Sequence, residues 1–266
     1  MTSLSIAFSP CPNDTFIFDA MLHDRIDTLG YNFTPHIDDV ETLNIAAFQN
    51  TFQITKLSFF AYLLLKKHYT LLDSGAALGF GCGPLLVSGK KSRFSETSEI
   101  AIPGNYTTAF LLLKLWNPEI KNIVVTGFDK ILPGIKNGEY DAGLIIHEGR
   151  FIYPDYDCIK IIDLGQWWEK ETKLPIPLGC IAIKNDPATI VHKSQIELLI
   201  RNSILHAKNN RDDSLSFILD HAQEMDRKVV DEHINLYVND FSISLGEPGR
   251  NAINALEEMA RWKKIL

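Results

Sequence analysis

Long apolar runs are missing from this chain. The most apolar stretch, LSFFAYLLL at Leu57 to Leu65, falls well short of the roughly 20 residues that a membrane-spanning helix requires. Basic clusters are missing as well. The formal net charge is −7 and no segment carries a stripe of Lys and Arg, which argues against a surface that tracks nucleic-acid phosphates. Cysteine is scarce: Cys11, Cys82, Cys158 and Cys180 stand apart, without CxxC spacing. Neither a metal centre nor a redox pair is expected, and a reducing cytoplasm fits. The glycine-rich stretch SGAALGFGCGPLL lacks both nucleotide signatures. No suitable helix follows it, and no Gly-Lys-Ser/Thr ends it. Its glycines suit a close approach of backbone to a flat ligand or to another lobe, or ordinary packing. The opening MTSLSIAFSP has no basic segment and only a short apolar run, so it reads as a strand rather than a secretion signal.

What is present is a chain of 266 residues, 45 % hydrophobic and 22 % charged, enough for a large core and about two lobes. Strand and helix patterns alternate. SLSIAFS, YNFTPHIDD and FQITKLS read as strands, and helices are expected in NDTFIFDAML and VETLNIAAFQN. Asn13 and Asp14 suit the cap of the first helix, and Val40, Leu43, Ala46 and Phe48 suit the apolar face of the second. A second block repeats the theme with SEIAIPG, TAFLLLKLW, KNIVVTGF, DKILPGIKNGEY and DAGLIIH, and CIAIKND adds one more strand. The remainder reads as helical. This alternation predicts an α/β fold with a mostly parallel sheet. The chain is also expected to leave the first block near LLVSGKKS and return near LGCIAIKND. Two crossings between two α/β lobes describe a two-lobed, periplasmic-binding-protein-like (type II) fold with a two-segment hinge. Lobe 1 is assigned to residues 1–88 and 183–266, and lobe 2 to residues 89–182.

One internal echo points to a site. LNIAAFQNTFQITKLS and ILPGIKNGEYDAGLIIH share a layout of helix, Asn-containing turn and apolar strand. The first strand stops at Ser58 and the second at His147. Ligands of open α/β sheets sit outside the carboxyl ends of strands, so the two residues would face one cleft. An imidazole titrating near about 6.5 suits proton abstraction, although a histidine at the end of a core strand can also be purely structural. Glu148 and Arg150 beside it cannot both be buried cheaply, so this exit must be polar or wet. In IPGNYTTAFLLL, Thr107 and Thr108 open a helix. They can cap it or bring hydroxyls and free amides to an anion. In SPCPNDT, Ser9, Asn13 and Asp14 offer polar groups at the first strand's exit, for a ligand or for a capped, rigid loop. The adjacent Trp167 and Trp168 can stack on a planar ligand or close a lobe interface. The other histidines, His233 among them, read as solvated or packing residues.

Taken together, SPCPNDTFIFDA, DVETLN, ITKLSFFAY, LDSGAALGFGCGPLLVS, IPGNYTTAFLLL, DAGLIIHEGR and LGQWWE followed by LPIPLGCIAI resemble the 1,4-dihydroxy-6-naphthoate synthase family. The likeness runs from about Ser9 to Ile183 and is met again in LYVNDFSISLGEPGR. It implies a lyase of the futalosine route to menaquinone, which converts cyclic dehypoxanthine futalosine to 1,4-dihydroxy-6-naphthoate with neither metal nor organic cofactor. It also implies that His147 is the base, and that Lys56, Leu57 and Ser58, with Thr107 and Thr108, surround a carboxylate substrate. Partners beyond that small molecule are not expected, neither nucleic acid nor membrane, while an oligomer is compatible. Two other readings share the architecture: a solute-binding protein that captures a small anion, and the chorismate dehydratase of the same pathway.

Overall fold

The structure, a computed structural model, describes residues 2–90, 94–222 and 226–266. Its strands are β1 (Thr2–Phe8), β2 (Tyr31–Ile37), β3 (Ile54–Ser58), β4 (Tyr69–Leu71), β5 (Ala77–Gly79), β6 (Leu85–Gly89), β7 (Ile100–Ile102), β8 (Ile123–Val125), β9 (Ala142–Ile145), β10 (Cys158–Asp163) and β11 (Ile176–Lys184). Among the described residues they form two sheets. The first runs β2-β1-β3-β11-β4, with β5 also on β11, and the second runs β10-β6-β9-β7-β8.

In the first sheet β1 is parallel to β2 and β3, while β11 runs antiparallel to β3, β4 and β5. In the second, β7 is parallel to β8 and β9, and β6 is antiparallel to β9 and β10. The central strand β3 is buried along its whole length, whereas the edge strand β2 keeps several residues in solvent. Helices α1 (Pro12–Leu22), α2 (Val40–Phe48) and α3 (Phe59–Leu65) follow the first-sheet strands. Helices α4 (Thr108–Trp116), α5 (Phe128–Asn137), α6 (Gly149–Ile152) and α7 (Leu164–Thr172) belong to the second block. The C-terminal helices Lys193–Asn209 and Arg227–Tyr237 pack on α1. Phe59 and Leu63 of α3 share an apolar cluster with Leu111 and Leu112 of α4, so the two blocks are joined by common core.

Several expectations change here. Leu85–Gly89 pairs inside the second sheet and Ile176–Lys184 inside the first. Sheet membership therefore moves the crossings to residues 80–84 and 173–175, ahead of the 88/89 and 182/183 boundaries, because both stretches find ladder partners instead of serving as linkers. The first crossing holds its place by backbone contact: a Cβ on Gly83 would lie 2.3 Å from the Gly165 backbone. Helix α1 begins after Cys11 with no side-chain cap, and Asn13 and Asp14 are turned inward instead. Helix α2 buries Glu41, Leu43, Asn44 and Ala47, while Phe48 remains 39 % exposed. Its inward face is partly polar, for a reason that lies in the site.

Candidate active site

A cavity of about 80 Å³ lies between the two blocks, at the carboxyl ends of β1, β3 and β9 and the start of α4. Ser9, Asn13, Asp14, Lys56 and Ser58 line one side and Thr107, Thr108, Ile146 and His147 the other, with Tyr237 from the C-terminal helices.

The first wall follows from the period of a strand. Alternation on β3 turns Lys56 and Ser58 to the cavity and Leu57 to the opposite face, where it is fully buried in the core. Leu57 is thus a packing residue and offers no side chain to a ligand. The Lys56 ammonium lies 2.5 Å from Asp14, and both side chains are buried. Asp14 also accepts from the Ser9 hydroxyl at 2.7 Å, the Ser9 amide at 3.2 Å and Asn13 Nδ2 at 2.7 Å. The pair can stay charged out of water because its partners replace the lost solvation. Gly179 on β11 leaves room for the lysine stem, since a Cβ there would lie 3.1 Å from Lys56 Cε. Asn44 holds Ser58 at both ends: Oδ1 accepts from the Ser58 amide and Nδ2 donates to the hydroxyl oxygen. The Ser58 hydroxyl keeps its own hydrogen for the cavity.

The second wall is built on the turn after β9. His147 has φ +54, a left-handed conformation that few residues other than glycine adopt, and it swings the ring into the cavity. Its Nδ1 lies 3.3 Å from Cys11 Sγ. Its Nε2 is buried and has no hydrogen-bonding partner among the described residues. Phe128 meets the ring edge-on at 5.1 Å, and His233 stacks on it at 6.3 Å. Burial lowers the imidazole to about 4, with the Asp14 charge acting against the shift, so the ring is neutral at pH 7. The neighbouring charges are accommodated separately. Arg150 donates to Asp163 at 2.7 Å and to the Gly83 carbonyl at 2.6 Å, while Glu148 is buried.

Of the two readings open for the threonines, capping is the one found at Thr107. Thr107 caps α4, accepting from the Phe110 amide and donating to the Gly104 carbonyl. Thr108 donates to the Leu178 carbonyl at 2.7 Å and accepts from the Phe60 amide. Both hydroxyl hydrogens are therefore spent on protein. What this helix start can offer an anion is its first-turn amides. Trp167 and Trp168 lie on a helix rather than a loop and do not line the cavity. Trp168 is fully buried, with its indole N–H on the Pro175 carbonyl.

Sequence reasoning also missed several groups. The buried Glu41 accepts from the Tyr106 amide at 3.0 and 3.2 Å, linking α2 to the loop before α4. Burial raises its carboxyl above the usual range. His233 is fully enclosed, with Nε2 at 2.9 Å from Asn13 Oδ1, and burial lowers its imidazole well below the usual value. The inward spacing of Val230, His233, Ile234 and Tyr237 was the available signal for it.

The family model described as menaquinone biosynthesis matches residues 4–262. The chain belongs to the menaquinone-biosynthesis family. This family member is 41 % identical over 256 residues to the 1,4-dihydroxy-6-naphthoate synthase of Thermus thermophilus, covering 96 % of this chain and 93 % of the relative. It is 38 % identical over 265 residues to the enzyme of the same name from Streptomyces coelicolor, covering 96 % and 91 %. A crystal structure of a protein from Archaeoglobus fulgidus superimposes with TM-score 0.93 at 37 % identity, covering 99 % of this chain and 98 % of that one. At 10 % identity, a Candida albicans protein described as having the generic periplasmic-binding-protein fold superimposes with TM-score 0.72, covering 100 % and 91 %. That likeness concerns the fold alone: the family member is a two-lobed α/β protein of periplasmic-binding-protein type.

Proposed function

We propose that this protein is the carbon–carbon lyase of menaquinone synthesis that converts cyclic dehypoxanthine futalosine to 1,4-dihydroxy-6-naphthoate, working in the cytoplasm. One observation carries the reading: a neutral imidazole, with one nitrogen unpaired, stands in a cleft opposite a buried lysine and a serine hydroxyl. His147 takes a proton from the sugar-derived ring of the substrate. Ring opening and loss of the side fragment follow, driven by aromatisation of the naphthoate. The substrate carboxylate rests on the first-turn amides of α4, and Ser58 and the remaining N–H groups of Lys56 fix the ring oxygens.

The test is incubation of the purified protein with cyclic dehypoxanthine futalosine, with chorismate run in parallel, while naphthoate absorbance is followed for the first and loss of the starting compound for the second. Naphthoate should form from the first and nothing from the second. His147→Ala should fold normally and lose about 10²–10⁴-fold in turnover, the usual contribution of a general base. Tight binding of 1,4-dihydroxy-6-naphthoate with no turnover of either compound would favour a binding protein instead.

A further inference from the structure

Three polar side chains of the first wall, Asn13, Lys56 and Ser58, have hydrogens to give to the cavity and no acceptor left open. Asn44 closes the Ser58 oxygen. Its Nδ2 donates to Oγ at 3.1 Å, and its Oδ1 accepts from the Ser58 amide, which fixes the two ends of the Asn44 amide. Lys56 has no acceptor, and one of its three hydrogens is on Asp14. Asn13 is closed from the far side. An ionised carboxylate can only accept, so the Asn13 atom 2.7 Å from Asp14 Oδ1 is Nδ2. Asn13 Oδ1 is then the atom 2.9 Å from His233 Nε2, and it can only accept, so the ring hydrogen of His233 sits on Nε2. Burial keeps this imidazole neutral, with a single N–H. His233 Nδ1 is therefore bare, and it is buried without a partner among the described residues. With Oδ1 occupied, Asn13 offers the cavity it lines one group, the second hydrogen of Nδ2.

We propose that Asn13, Lys56 and Ser58 form a donor-only cradle for a substrate oxygen that gains negative charge, and that His233 is the positioning residue that turns the Asn13 amide towards it. The Asp14 carboxylate behind them is neutralised by Lys56 and taken up by Ser9 and Asn13, so the wall presents hydrogens rather than a free anion. The cradle rests on the lyase reading for its place in the reaction. When His147 takes a proton, the electron pair of the broken bond stays on the substrate and settles on an oxygen, as an enolate or alkoxide. The imidazolium and the oxyanion balance, and no further reactant is needed. Donors already aimed at such an oxygen in a water-poor site cost no reorganisation when the charge appears. A neutral hydroxyl in the same place would find takers for its lone pairs and none for its hydrogen, so the wall selects for the ionised form. His233 does not line the cavity and acts through Asn13 alone.

The orientation of Asn13 is read without turnover. Nitrogen NMR of histidine-labelled protein, assigned by comparison with His233→Gln, should show a protonated Nε2 and a bare Nδ1 at His233. A proton on Nδ1 overturns the proposal. The cradle itself is read from the absorbance of 1,4-dihydroxy-6-naphthoate, whose two phenols ionise visibly, bound to saturating protein and kept anaerobic because a hydroquinone oxidises in air. Binding should bring in the phenolate band about one pH unit lower than in free solution, a tenfold preference for the ionised oxygen. Asn13→Ala and Ser58→Ala should each move the band back towards its free position. Each should also lower kcat by about 10²–10³-fold with little change in KM, the cost of one oxyanion donor. His233→Leu should lower kcat about tenfold, the worth of one hydrogen bond. His233→Gln, whose amide can still donate to Asn13 Oδ1, should recover most of that loss. A phenolate band that is unmoved or appears at higher pH on binding, or variants that raise KM and leave kcat intact, overturns the cradle. If the naphthoate does not bind while His233 shows the stated tautomer, the lyase reading fails and the orientation of Asn13 stands.

Discussion

His147 titrates where few histidines do, and that has two measurable consequences. The unfolded chain takes up a proton on this ring near about 6.5, whereas the folded ring does so only near about 4. The stability gained by keeping it neutral is complete above the first value and is lost as pH falls through the window to the second. Urea denaturation of wild type and His147→Ala between pH 7.5 and 4.5 should show the wild type losing more stability towards the acid end. For the same reason kcat/KM should stay level from pH 7.5 to about 5.5, where an unperturbed histidine base would already be losing activity. Lys56 makes a different prediction. Lys56→Met leaves the Asp14 carboxylate buried without its cation, a change that costs about 3–5 kcal/mol. The double change Lys56→Met with Asp14→Asn should recover much of that loss in the same denaturation assay.

At the scale of elements, the cleft is clasped by α2, α3 and β11 on one side and the start of α4 on the other. Glu41 bonds to the Tyr106 amide, and Thr108 sits between the Phe60 amide and the Leu178 carbonyl. Gly104 makes the first contact possible, since a Cβ there would lie 2.2 Å from the Glu41 carboxyl carbon. Gly104→Ala should therefore break the Glu41 bridge and raise KM about tenfold, close to the loss of one charge-assisted hydrogen bond, with circular dichroism unchanged. Most of these elements were legible in the sequence, because apolar period and the stop of each apolar run are local signals. The exits at Ser58 and His147 could be read that way. The partners could not: Cys11 and His147 are 136 residues apart, and His233 is 220 residues from Asn13. Nothing local tells a capping threonine from one that ties two lobes together, which is why Thr107 and Thr108 could be read both as caps and as hydroxyls for an anion.

For the whole molecule, the cavity is the limiting dimension. An apolar cavity of about 150 Å³ accommodates benzene, and this one measures about 80 Å³. A two-ring acid needs the lobes to part before it enters, and its binding then ties them together. Saturation with 1,4-dihydroxy-6-naphthoate at a hundredfold excess over Kd should add about 2.7 kcal/mol. For a chain of this length that raises the thermal midpoint by about 5–10 °C, readable by calorimetry.

The late return of β11 bears on how the chain is made. Strands β6 to β10 are contiguous, and among the described residues they complete their sheet without help from elsewhere. Strands β3, β4 and β5 all pair with β11, which leaves the ribosome nearly a hundred residues after β5. During translation the half that begins first must wait, its apolar strand edges unsatisfied, while the half in the middle can finish. A released fragment ending at residue 172 should resist protease across β6–β10 and be cut readily across β1–β5.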